Sequence, residues 1–409
     1  MATKLIVPVV KIENVRQHPN ASLLGLAKVL EYQVVVGFVE DQNGPIVRHF
    51  VKGRLDEKGK RIPLLGSPFD KLWTEDRDGN RTFYGNDDND DVETVKFSFR
   101  YNEGDLVVYV PGDSILTDEW STRLDVKSLL KGGNRVAKIA LRGEPSFGLV
   151  IAIPDEKKGV WREGDNVADY FAIQKYEPPV KTNCGDAAPR DADIDPYFDK
   201  FTDIQNGRLF TTIFQPGEEV VASEKLHGTN TRIGIINGNK IAGSMELRRS
   251  PPKDGNFSKS TYWFPWSIPG VDGLMTSLSQ RFGNFVELFG EVYGNSIQKG
   301  FKYDAGGGVG FRAFGIKVGD RFLDWTELEK ECLTFGVPLV PVLYSGPFDM
   351  AKLLPLIEVP STLGDAPVME GMVIVPAKER CDPKIGRVAL KYISIQYDLL
   401  KNKPDSKDV

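Results

Sequence analysis

The chain has few of the residues that build disulfide frameworks and zinc sites. Its 409 residues include only three cysteines and three histidines. The cysteines, at positions 184, 332 and 381, are odd in number and far apart, which predicts a reducing, cytoplasmic setting without structural disulfides. The sequence contains no CxxC or HxxxH pair, so a zinc site built from closely spaced ligands is not expected.

Long apolar segments and an excess of positive charge are also missing. No run of about 18 apolar residues occurs, and the first residues lack the pattern of a signal peptide, so neither a membrane span nor secretion is expected. The formal net charge is −5. The composition therefore does not favour a nucleic-acid partner, and any such binding would use local groups of Lys and Arg.

The length and the pattern of the first half predict two domains, the first rich in β-strands. β-Branched runs separated by turn residues occur at 4–12, 32–37, 106–110 and 147–153. They predict a small β-barrel over residues 1–175. Residues 40–98 are rich in Asp, Asn, Gly, Lys and Arg, with an acidic cluster at 87–91, and we interpret them as an inserted solvated loop or hairpin extension.

The second half begins after a segment rich in Pro and Asp. Residues 176–189 are interpreted as a linker, and residues 190–409 as a second domain of strands alternating with a few helices. One helix is predicted over residues 325–335, where Thr326 lies near the start and Gly336 follows the end. A second helix is predicted over residues 349–357.

The most informative segment is 224–230, with the sequence EKLHGTN. Lys225 is followed three residues later by Gly228, and strand-like runs lie on both sides. This arrangement suits a lysine nucleophile that faces a nucleotide, because glycine lets the backbone approach phosphate or sugar without a Cβ. A single Lys-x-x-Gly is common, so the interpretation depends on partners elsewhere in the chain.

Further segments occur in a fixed order after this lysine. They are MELRRS (245–250), FGEVYG (289–294), FRAFGI (311–316), MEGMVI (369–374) and LKYIS (390–394). With KLHGTN as motif I, they resemble motifs Ia, III, IIIa, IV and V of the ATP-dependent RNA ligases. The resemblance covers roughly residues 190 to 400 and implies an α+β chain whose second domain is a ligase-type nucleotidyltransferase domain of antiparallel sheets with helices.

The resemblance implies a three-step reaction. Lys225 attacks the α-phosphorus of ATP, the adenylate moves to an RNA 5′-phosphate, and a 3′-hydroxyl then displaces AMP. Lys391 contacts the α-phosphate, Glu370 holds Mg²⁺ or Mn²⁺, and Glu291 binds the ribose or a metal-bound water. The neutral amine that Lys225 needs is favoured by burial and by the positive charges of Lys391 and the metal ion.

The resemblance also implies a set of ATP-binding residues. These are Glu224, Leu226, His227, Gly228, Asn230, Arg248, Arg249, Phe311 and Lys391. Glu224 would contact the adenine amino group through its carbonyl or its side chain, and Phe311 would stack on adenine, with Phe314 as the other candidate. Two positions depart from the family. Gly315 replaces an Asp, and Ile393 replaces a second lysine, whose charge Arg387 or Lys384 would have to supply.

The N-terminal half carries a second resemblance. The segment 15–23, which contains His18-Pro19-Asn20-Ala21, is similar to a signature of OB-type barrels in tRNA-binding modules and in the nick-sealing branch of RNA ligases, although Ser22 stands where Asp is usual. Only 18 residues follow Lys391 in this sequence. An accessory OB barrel is therefore expected before the catalytic domain, not after it.

The function expected from the sequence is an ATP-dependent RNA ligase that seals 3′-OH/5′-PO₄ ends or nicks. Its partners would be nicked duplex RNA or broken RNA ends, with no membrane, and the protein would act as a monomer. A capping-type guanylyltransferase or a DNA ligase shares the lysine chemistry and is the first alternative. A non-catalytic tRNA- or RNA-binding protein with a decayed ligase domain is the second.

Overall fold

A computed structural model of the protein describes residues 5–21, 24–57, 59–67, 71–75, 80–85, 90–177, 198–298, 303, 308–364, 366–401 and 405–407. The chain divides into an N-terminal unit, Leu5–Tyr176 with a C-terminal segment, and a C-terminal unit that spans Glu177–Lys403. Of the linker predicted at 176–189, only the first two residues lie within the described part of the chain.

The N-terminal unit consists almost entirely of short strands. They are β1 (Val9–Lys11), β2 (Glu13–Gln17), β3 (Leu24–Val29), β4 (Tyr32–Glu40), β5 (Ile46–Leu55), β6 (Arg61–Pro63), β7 (Leu65–Ser67), β8 (Lys71–Glu75), β9 (Arg81–Gly85), β10 (Val92–Phe99), β11 (Leu106–Val110), β12 (Ser114–Ile115), β13 (Ile139–Leu141), β14 (Glu144–Ser146), β15 (Leu149–Ala152) and β16 (Gln174–Lys175). The described residues of this unit also include one helix, α1 (Asp118–Arg123), 3₁₀ turns at Lys127–Leu129 and Asp155–Lys157, and a short strand at Asp405–Lys407 from the C-terminal segment.

These strands form several small sheets. The largest has the order β2-β3-β4-β10-β5-β6, beside β1-β11-β15, β7-β8-β9 and β12-β16. Among the described residues, no set of strand pairings closes into a barrel, so the fold observed is a mixed, sheet-rich α+β fold. The buried side chains of Val9, Val108, Ile151 and Phe171 belong to one apolar core of this unit.

The segment 40–98 consists largely of antiparallel strands. Of the two interpretations given for it, the hairpin extension is therefore the one that agrees with the structure, and the solvated loop is wrong. Strands β5 and β10 pair over six residues and extend the sheet beyond β4, while β7, β8 and β9 form a meander. Val51, Leu64, Leu72 and Val92 form a small core beneath them. The high content of charged residues concealed these few apolar positions, and residues 87–89 of the acidic cluster lie outside the described residues.

The turn at His18 links two hairpins of the N-terminal unit. The His18 ring is buried and accepts a hydrogen bond from the backbone N–H of Asn20 at Nδ1 (3.0 Å). Its Nε2 therefore carries the proton and donates to the carbonyl of Leu141 (2.9 Å). The amide of Asn20 donates in turn to the carbonyl of Arg142 (3.1 Å). Ser22, the departure from the OB signature, lies outside the described residues.

The C-terminal unit is built on two larger sheets. Its strands are β17 (Gln205–Asn206), β18 (Glu219–Glu224), β19 (Thr229–Ile236), β20 (Asn239–Gly243), β21 (Arg248–Arg249), β22 (Phe285–Tyr293), β23 (Gly310–Val318), β24 (Arg321–Phe322), β25 (Val342–Pro347), β26 (Gly371–Pro376), β27 (Cys381–Asp382), β28 (Gly386–Arg387) and β29 (Leu390–Ile393). We call β17-β29-β26-β18-β25 the lysine sheet and β21-β20-β19-β22-β23-β24 the glutamate sheet.

Two helices, α2 (Val271–Phe282) and α3 (Trp325–Phe335), pack against the glutamate sheet. The unit also contains the short helices α4 (Met350–Leu353) and α5 (Ile395–Lys401), and 3₁₀ turns at Phe257–Lys259, Phe264–Ser267 and Leu354–Ile357. Leu274 and Leu278 of α2 pack in one core with Leu288 and Ile316 of the sheet. No helix among the described residues is long and apolar enough to cross a membrane.

Both predicted helices are present. The first spans Trp325–Phe335, although its N-cap is Asp324, whose backbone N–H donates to Glu327 (2.9 Å), and its C-cap is Gly336 at φ 69°. The second is α4 with the 3₁₀ turn that follows it, capped by Asp349. Sequence analysis missed α2, although buried residues at 271, 274, 275 and 278 have the spacing of an amphipathic helix.

One buried carboxyl group of the glutamate sheet gives the fold a pH dependence. Glu287 lies four residues before Glu291 on the same face of β22, and burial raises its pKa to about 8. The charges of Arg232 and Lys317 act in the opposite direction, and Asp199 adds to the rise. Because the pKa of Glu287 in the folded protein exceeds its ordinary value of 4.5, folding is accompanied by uptake of a proton at pH values between these two pKa values. The free energy of unfolding therefore falls as the pH rises through that window.

We expect Glu287→Gln to reduce this pH dependence. The wild type should lose up to about 1.4 kcal/mol of stability per pH unit relative to the variant within the window, the limit for one proton. Urea unfolding between pH 5 and 9 would measure the difference. Glu329→Gln, at an exposed glutamate of α3, is the control. Parallel curves for wild type and Glu287→Gln would contradict the assignment.

Candidate active site

Lys225 follows the last residue of β18, where the chain passes from the lysine sheet to the glutamate sheet. Its backbone N–H donates to the carbonyl of Gly371 (2.9 Å), and its Nζ donates to Oε1 of Glu370 (2.6 Å). Gly371 has φ 152°, and a Cβ there would lie 2.1 Å from the carbonyl oxygen of Tyr392. Only glycine therefore fits beside β29, and this close packing sets Glu370 against the lysine.

Glu370 lies between two basic side chains. Its second oxygen is 3.6 Å from Nδ1 of His227, a buried residue. Burial acts to raise the pKa of Glu370, but the charge of Lys225, the nearby ring of His227 and the hydrogen bond from Lys225 outweigh it and hold this pKa below its usual range. Glu370 is therefore an anionic centre beside the candidate nucleophile.

Glu291 approaches the same centre from the glutamate sheet. Burial raises its pKa to about 8, with Glu370 adding to the rise and the charge of Lys225 opposing it. Its cross-strand neighbour Asn230 has a buried Oδ1 with no hydrogen-bond partner among the described residues. A Cβ on Gly228 would lie 2.2 Å from the carbonyl of Val292. Glycine is therefore needed to bring residues 225–228, which we call the lysine loop, this close to β22.

The side-chain oxygen atoms of Glu370, Glu291 and Asn230 suit a divalent cation that keeps several of its waters. No cluster of three or more His, Cys, Asp or Glu side chains able to enclose a metal ion occurs in the described part of the chain. Glu370 and Glu291 are two carboxyl groups close enough to interact, because Glu370 adds to the rise in the pKa of Glu291 that burial causes. Mg²⁺ typically binds through one or two carboxylates and retains water, so two carboxylates and the amide oxygen of Asn230 fit such an ion.

Lys391 faces the same side of the lysine sheet as Ser223. Both residues pair with Val373 of β26, from opposite sides, and directly paired residues share a face. Ile393, two residues further along β29, lies on that face as well. The position of the second family lysine is thus occupied by an apolar side chain.

The two proposed substitutes for that lysine are engaged or distant. Arg387 donates through Nε (2.9 Å) and Nη2 to the two carboxylate oxygens of Glu379, and its guanidinium lies 3.9 Å from the ring centre of Phe322. Its charge is therefore balanced by an ion pair of its own. Lys384 is exposed in the turn between β27 and β28. Neither arrangement supports a role in replacing the missing lysine.

The comparison with known families matches this part of the chain. Residues 218–393 match the family model described as RNA ligase. The segment contains Lys225, Glu291, Glu370 and Lys391, the residues just described. The segment 218–393 is therefore assigned to the RNA ligase family. No curated protein sequence matches the chain significantly.

Solved structures of an RNA ligase share the fold over nearly the whole chain. An apo mutant of Naegleria gruberi RNA ligase is 19% identical with a TM-score of 0.60, and the match covers 98% of this chain and 99% of that one. A mutant of the same protein with ATP and Mn is 17% identical, with a TM-score of 0.61 and the same coverage. A third, with AMP and Mn, is 18% identical, with a TM-score of 0.59, and covers 97% and 99%.

The side chain of Glu224 has a structural role in the C-terminal unit that differs from its predicted contact with adenine. Its carboxylate is 1% exposed and accepts hydrogen bonds from the Ser361 hydroxyl (2.5 Å) and from the hydroxyl (2.7 Å) and backbone N–H (3.2 Å) of Thr362. Glu224 pairs with Met372, so its side chain points to the face opposite Lys391. The carboxylate therefore anchors the segment 361–362 and is not available to adenine, whereas the backbone carbonyl remains a candidate.

We expect Glu224→Ala to lower the stability of the ligase domain by about 3 kcal/mol, because two hydroxyls and a backbone N–H lose a buried charged acceptor. Denaturant unfolding measures this value. Glu219→Ala, at the exposed start of the same strand, is the matched control and should change stability by less than about 0.5 kcal/mol. Equal effects of the two substitutions would refute the anchoring role.

Phe311 does not fit its predicted role in stacking. It is 2% exposed and pairs with Val292 on the face of the glutamate sheet that packs in the main core, opposite the face of Glu291. Phe314 is half-buried, and its ring centre lies 4.8 Å from that of Phe201. Of the two aromatic candidates, Phe314 is the one with an accessible surface.

The remaining predicted residues lie in the main core and on the edge strand of the glutamate sheet. Leu226 is buried in the main core and so anchors the lysine loop to it. Arg248 and Arg249 form β21, at the edge of the glutamate sheet. Arg249 is buried, with its guanidinium 4.9 Å from the ring centre of Tyr262, whereas Arg248 is half-buried.

Three residues that contact the lysine loop were missed by sequence analysis. The hydroxyl of Tyr303 accepts from the backbone N–H of His227 (2.7 Å), and the amide of Gln298 donates to the carbonyl of Gly228 (2.9 Å). The ring of Tyr397 lies 5.5 Å from that of His227. None of these contacts has a local sequence signal, because each joins segments more than 60 residues apart.

Proposed function

We propose that this chain is an ATP-dependent RNA ligase that seals 3′-OH/5′-PO₄ RNA ends or nicks through lysyl-AMP and RNA-adenylate intermediates. The observation that carries the proposal is the 2.6 Å contact between Lys225 and Glu370, in a loop that packs against the strand of Glu291 within an RNA ligase family segment. The titles of the matching Naegleria gruberi structures name ATP, AMP and Mn as bound groups of that ligase. ATP and a divalent cation are accordingly the nucleotide and metal of the proposal.

The first step forms a bond between Lys225 Nζ and the α-phosphorus and breaks the bond to pyrophosphate. The ammonium must first lose a proton, and Oε1 of Glu370 is within hydrogen-bond distance to accept it. Lys391 would balance charge on the α-phosphate as the transition state forms. In the second step an oxygen of the RNA 5′-phosphate attacks the phosphorus of the lysyl-AMP and displaces Lys225. In the third step an RNA 3′-hydroxyl attacks the 5′-phosphate phosphorus of the RNA-adenylate and displaces AMP.

Glu370 and, through water, Glu291 would hold the divalent cation. When bound, Mg²⁺ or Mn²⁺ supplies positive charge that favours the neutral amine and offsets the charge of the triphosphate. Glu291 and Asn230 share a face with each other, so the same row of side chains also suits a ribose hydroxyl. His227, held by its backbone bond to Tyr303 and by Glu370, would position the adenylate or the RNA end.

The proposal includes the nick-sealing subtype and its N-terminal module. The turn of His18, Asn20 and Leu141, with the neighbouring short sheets, supports an OB-type module within residues 1–175 that binds duplex RNA near the nick. Such binding would depend on helix shape and 2′-hydroxyls more than on sequence. We further propose a monomer in the cytoplasm, in keeping with the scattered cysteines, and a catalytic domain over residues 190–409 after a linker at 176–189.

A labelling and sealing experiment tests the proposal. Purified protein is incubated with α-³²P-ATP or α-³²P-GTP and with Mg²⁺, Mn²⁺ or EDTA, and sealing of nicked duplex RNA is compared with that of nicked DNA and of single-stranded RNA ends. We expect metal-dependent labelling from ATP and sealing of RNA nicks. Label from GTP alone would indicate a capping enzyme, sealing of DNA alone a DNA ligase, and no label from either nucleotide an RNA-binding protein.

A further inference from the structure

Three polar side chains form a row across the middle of the glutamate sheet. Glu291 on β22 pairs directly with Asn230 on β19 and with Arg312 on β23. Directly paired residues of antiparallel strands share a face, so all three line the side of the sheet that meets Lys225 and Glu370. Arg312 therefore lies next to the residues that the ligase chemistry uses. It falls within the segment that resembles motif IIIa, but the resemblance gave it no role.

Two atoms of this row have unmet hydrogen-bonding capacity. Oδ1 of Asn230 and Nε of Arg312 are both buried, and neither has a partner among the described residues. Buried polar atoms of folded proteins are almost always paired, so an unpaired acceptor and an unpaired donor on either side of a catalytic glutamate call for an explanation. A bound ligand that presents both donors and acceptors to the row provides one.

The rest of the Arg312 guanidinium is fixed in place. Its Nη1 donates to the carbonyl of Leu339 (2.7 Å), and residue 339 forms a bridge with Ala313, the next residue on β23. The side chain is half-buried. Arg312 is thus a preorganised cation whose remaining donors stay near the row, which lowers the entropic cost of using them.

The neighbouring segments show which part of a nucleotide would meet Arg312. In the lysine sheet, Lys391 lies two strands to one side of β18. The segment that fixes Arg312 runs along the other side of β18, where the carbonyl of Pro341 accepts from the N–H of Glu224 (2.8 Å). With the α-phosphate at Lys225 and the phosphates towards Lys391, the nucleoside would lie on the side of Arg312.

We infer that Arg312 binds the nucleoside part of ATP, donating to acceptors of the ribose or the purine ring, and so contributes to nucleotide affinity and selection. The inference deepens the proposed function and rests on it. Arg312 is a binding residue in this assignment and takes no part in proton or phosphoryl transfer. Its hydrogen bond to Leu339 alone would make it a purely structural residue, and the experiment separates these two roles.

The experiment measures ligand binding directly. The protein is first treated with pyrophosphate to remove any attached adenylate. Wild type, Arg312→Met and the control Arg321→Met are then titrated by calorimetry with α,β-methylene-ATP, which cannot transfer AMP, and with inorganic tripolyphosphate, each with Mg²⁺. Arg321 is an exposed arginine of β24 that pairs with Glu327, so its replacement removes the same charge from the same sheet. Thermal unfolding of each variant is recorded in parallel.

We expect Arg312→Met to weaken binding of α,β-methylene-ATP by roughly tenfold to a hundredfold, as for a lost charge-assisted hydrogen bond, and to leave tripolyphosphate binding unchanged. Unchanged nucleotide affinity would overturn the inference, and so would an equal loss for tripolyphosphate, which would move the contact to the phosphates. A lower Tm with normal affinity would assign Arg312 a structural role only. If wild type itself binds neither ligand and is not labelled by ATP, the proposed function fails and not this inference alone.

Discussion

Lys225→Ala should abolish transfer of AMP to the protein, with labelling reduced at least about 10³-fold. The amine of Lys225 is the atom that forms the covalent bond, and an alanine leaves no nucleophile at that position. Label transfer from α-³²P-ATP with Mn²⁺ measures the effect. Lys240→Ala, at a partly exposed lysine of β20 that pairs with Asp272, is the control and should keep normal labelling.

Two additional measurements distinguish lost chemistry from lost structure. Lys225→Arg keeps a cation beside Glu370 and should retain normal stability while losing the label. Both Lys225 variants should still seal RNA that already carries a 5′-adenylate, because the third step requires no lysine nucleophile. Persistent labelling of Lys225→Ala would show that another residue is the nucleophile, and the proposed mechanism would then be abandoned.

Glu370→Gln should reduce AMP transfer by on the order of 100-fold or more. The substitution keeps the shape of the side chain but removes the charge that pairs with Lys225 and His227 and that would hold the metal ion. We expect the variant to need a higher Mn²⁺ concentration for half-maximal labelling. Initial rates of label transfer over a Mn²⁺ titration give both values.

The matched control is Glu218→Gln. Glu218 forms a similarly half-buried ion pair with Arg380 near the start of β18, away from Lys225. It should cost stability without changing the metal dependence. If Glu370→Gln labels at the wild-type rate with an unchanged Mn²⁺ requirement, Glu370 is a structural partner of Lys225 and the metal ion is bound elsewhere.

The local features of the fold could be predicted from the sequence, and the long-range ones could not. The helix Trp325–Phe335 was found at its observed bounds because its apolar spacing and the glycine that ends it are local. The anchoring of Glu224 by Ser361 joins residues 137 positions apart, and no periodicity marks it. The strands β5 and β10 could not be located from the sequence, because their few apolar residues form a core only when the two strands pair.

For the site, the sequence identified residue types better than their orientation. Lys225, Glu291 and Glu370 were singled out as partners, and the structure brings them together. Phe311 was placed on the wrong face because the side it occupies depends on the register between β22 and β23, which includes a bulge after Phe289. Arg312 was overlooked for the same reason, because only that register sets it beside Glu291.

The N-terminal unit takes one of its strands from the far end of the chain. Asp405–Lys407, which we label β30, pairs in parallel with β13, in a sheet of order β14-β13-β30. On the ribosome, β13 is made before the entire ligase domain, roughly ten to fifty seconds ahead of its partner at ordinary rates of synthesis. During that interval the edge of β13 is open to other strands. The N-terminal unit is therefore synthesised first, but its β14-β13-β30 sheet can form only after β30 has been synthesised. Folding of the nascent chain does not proceed strictly from the N-terminus to the C-terminus.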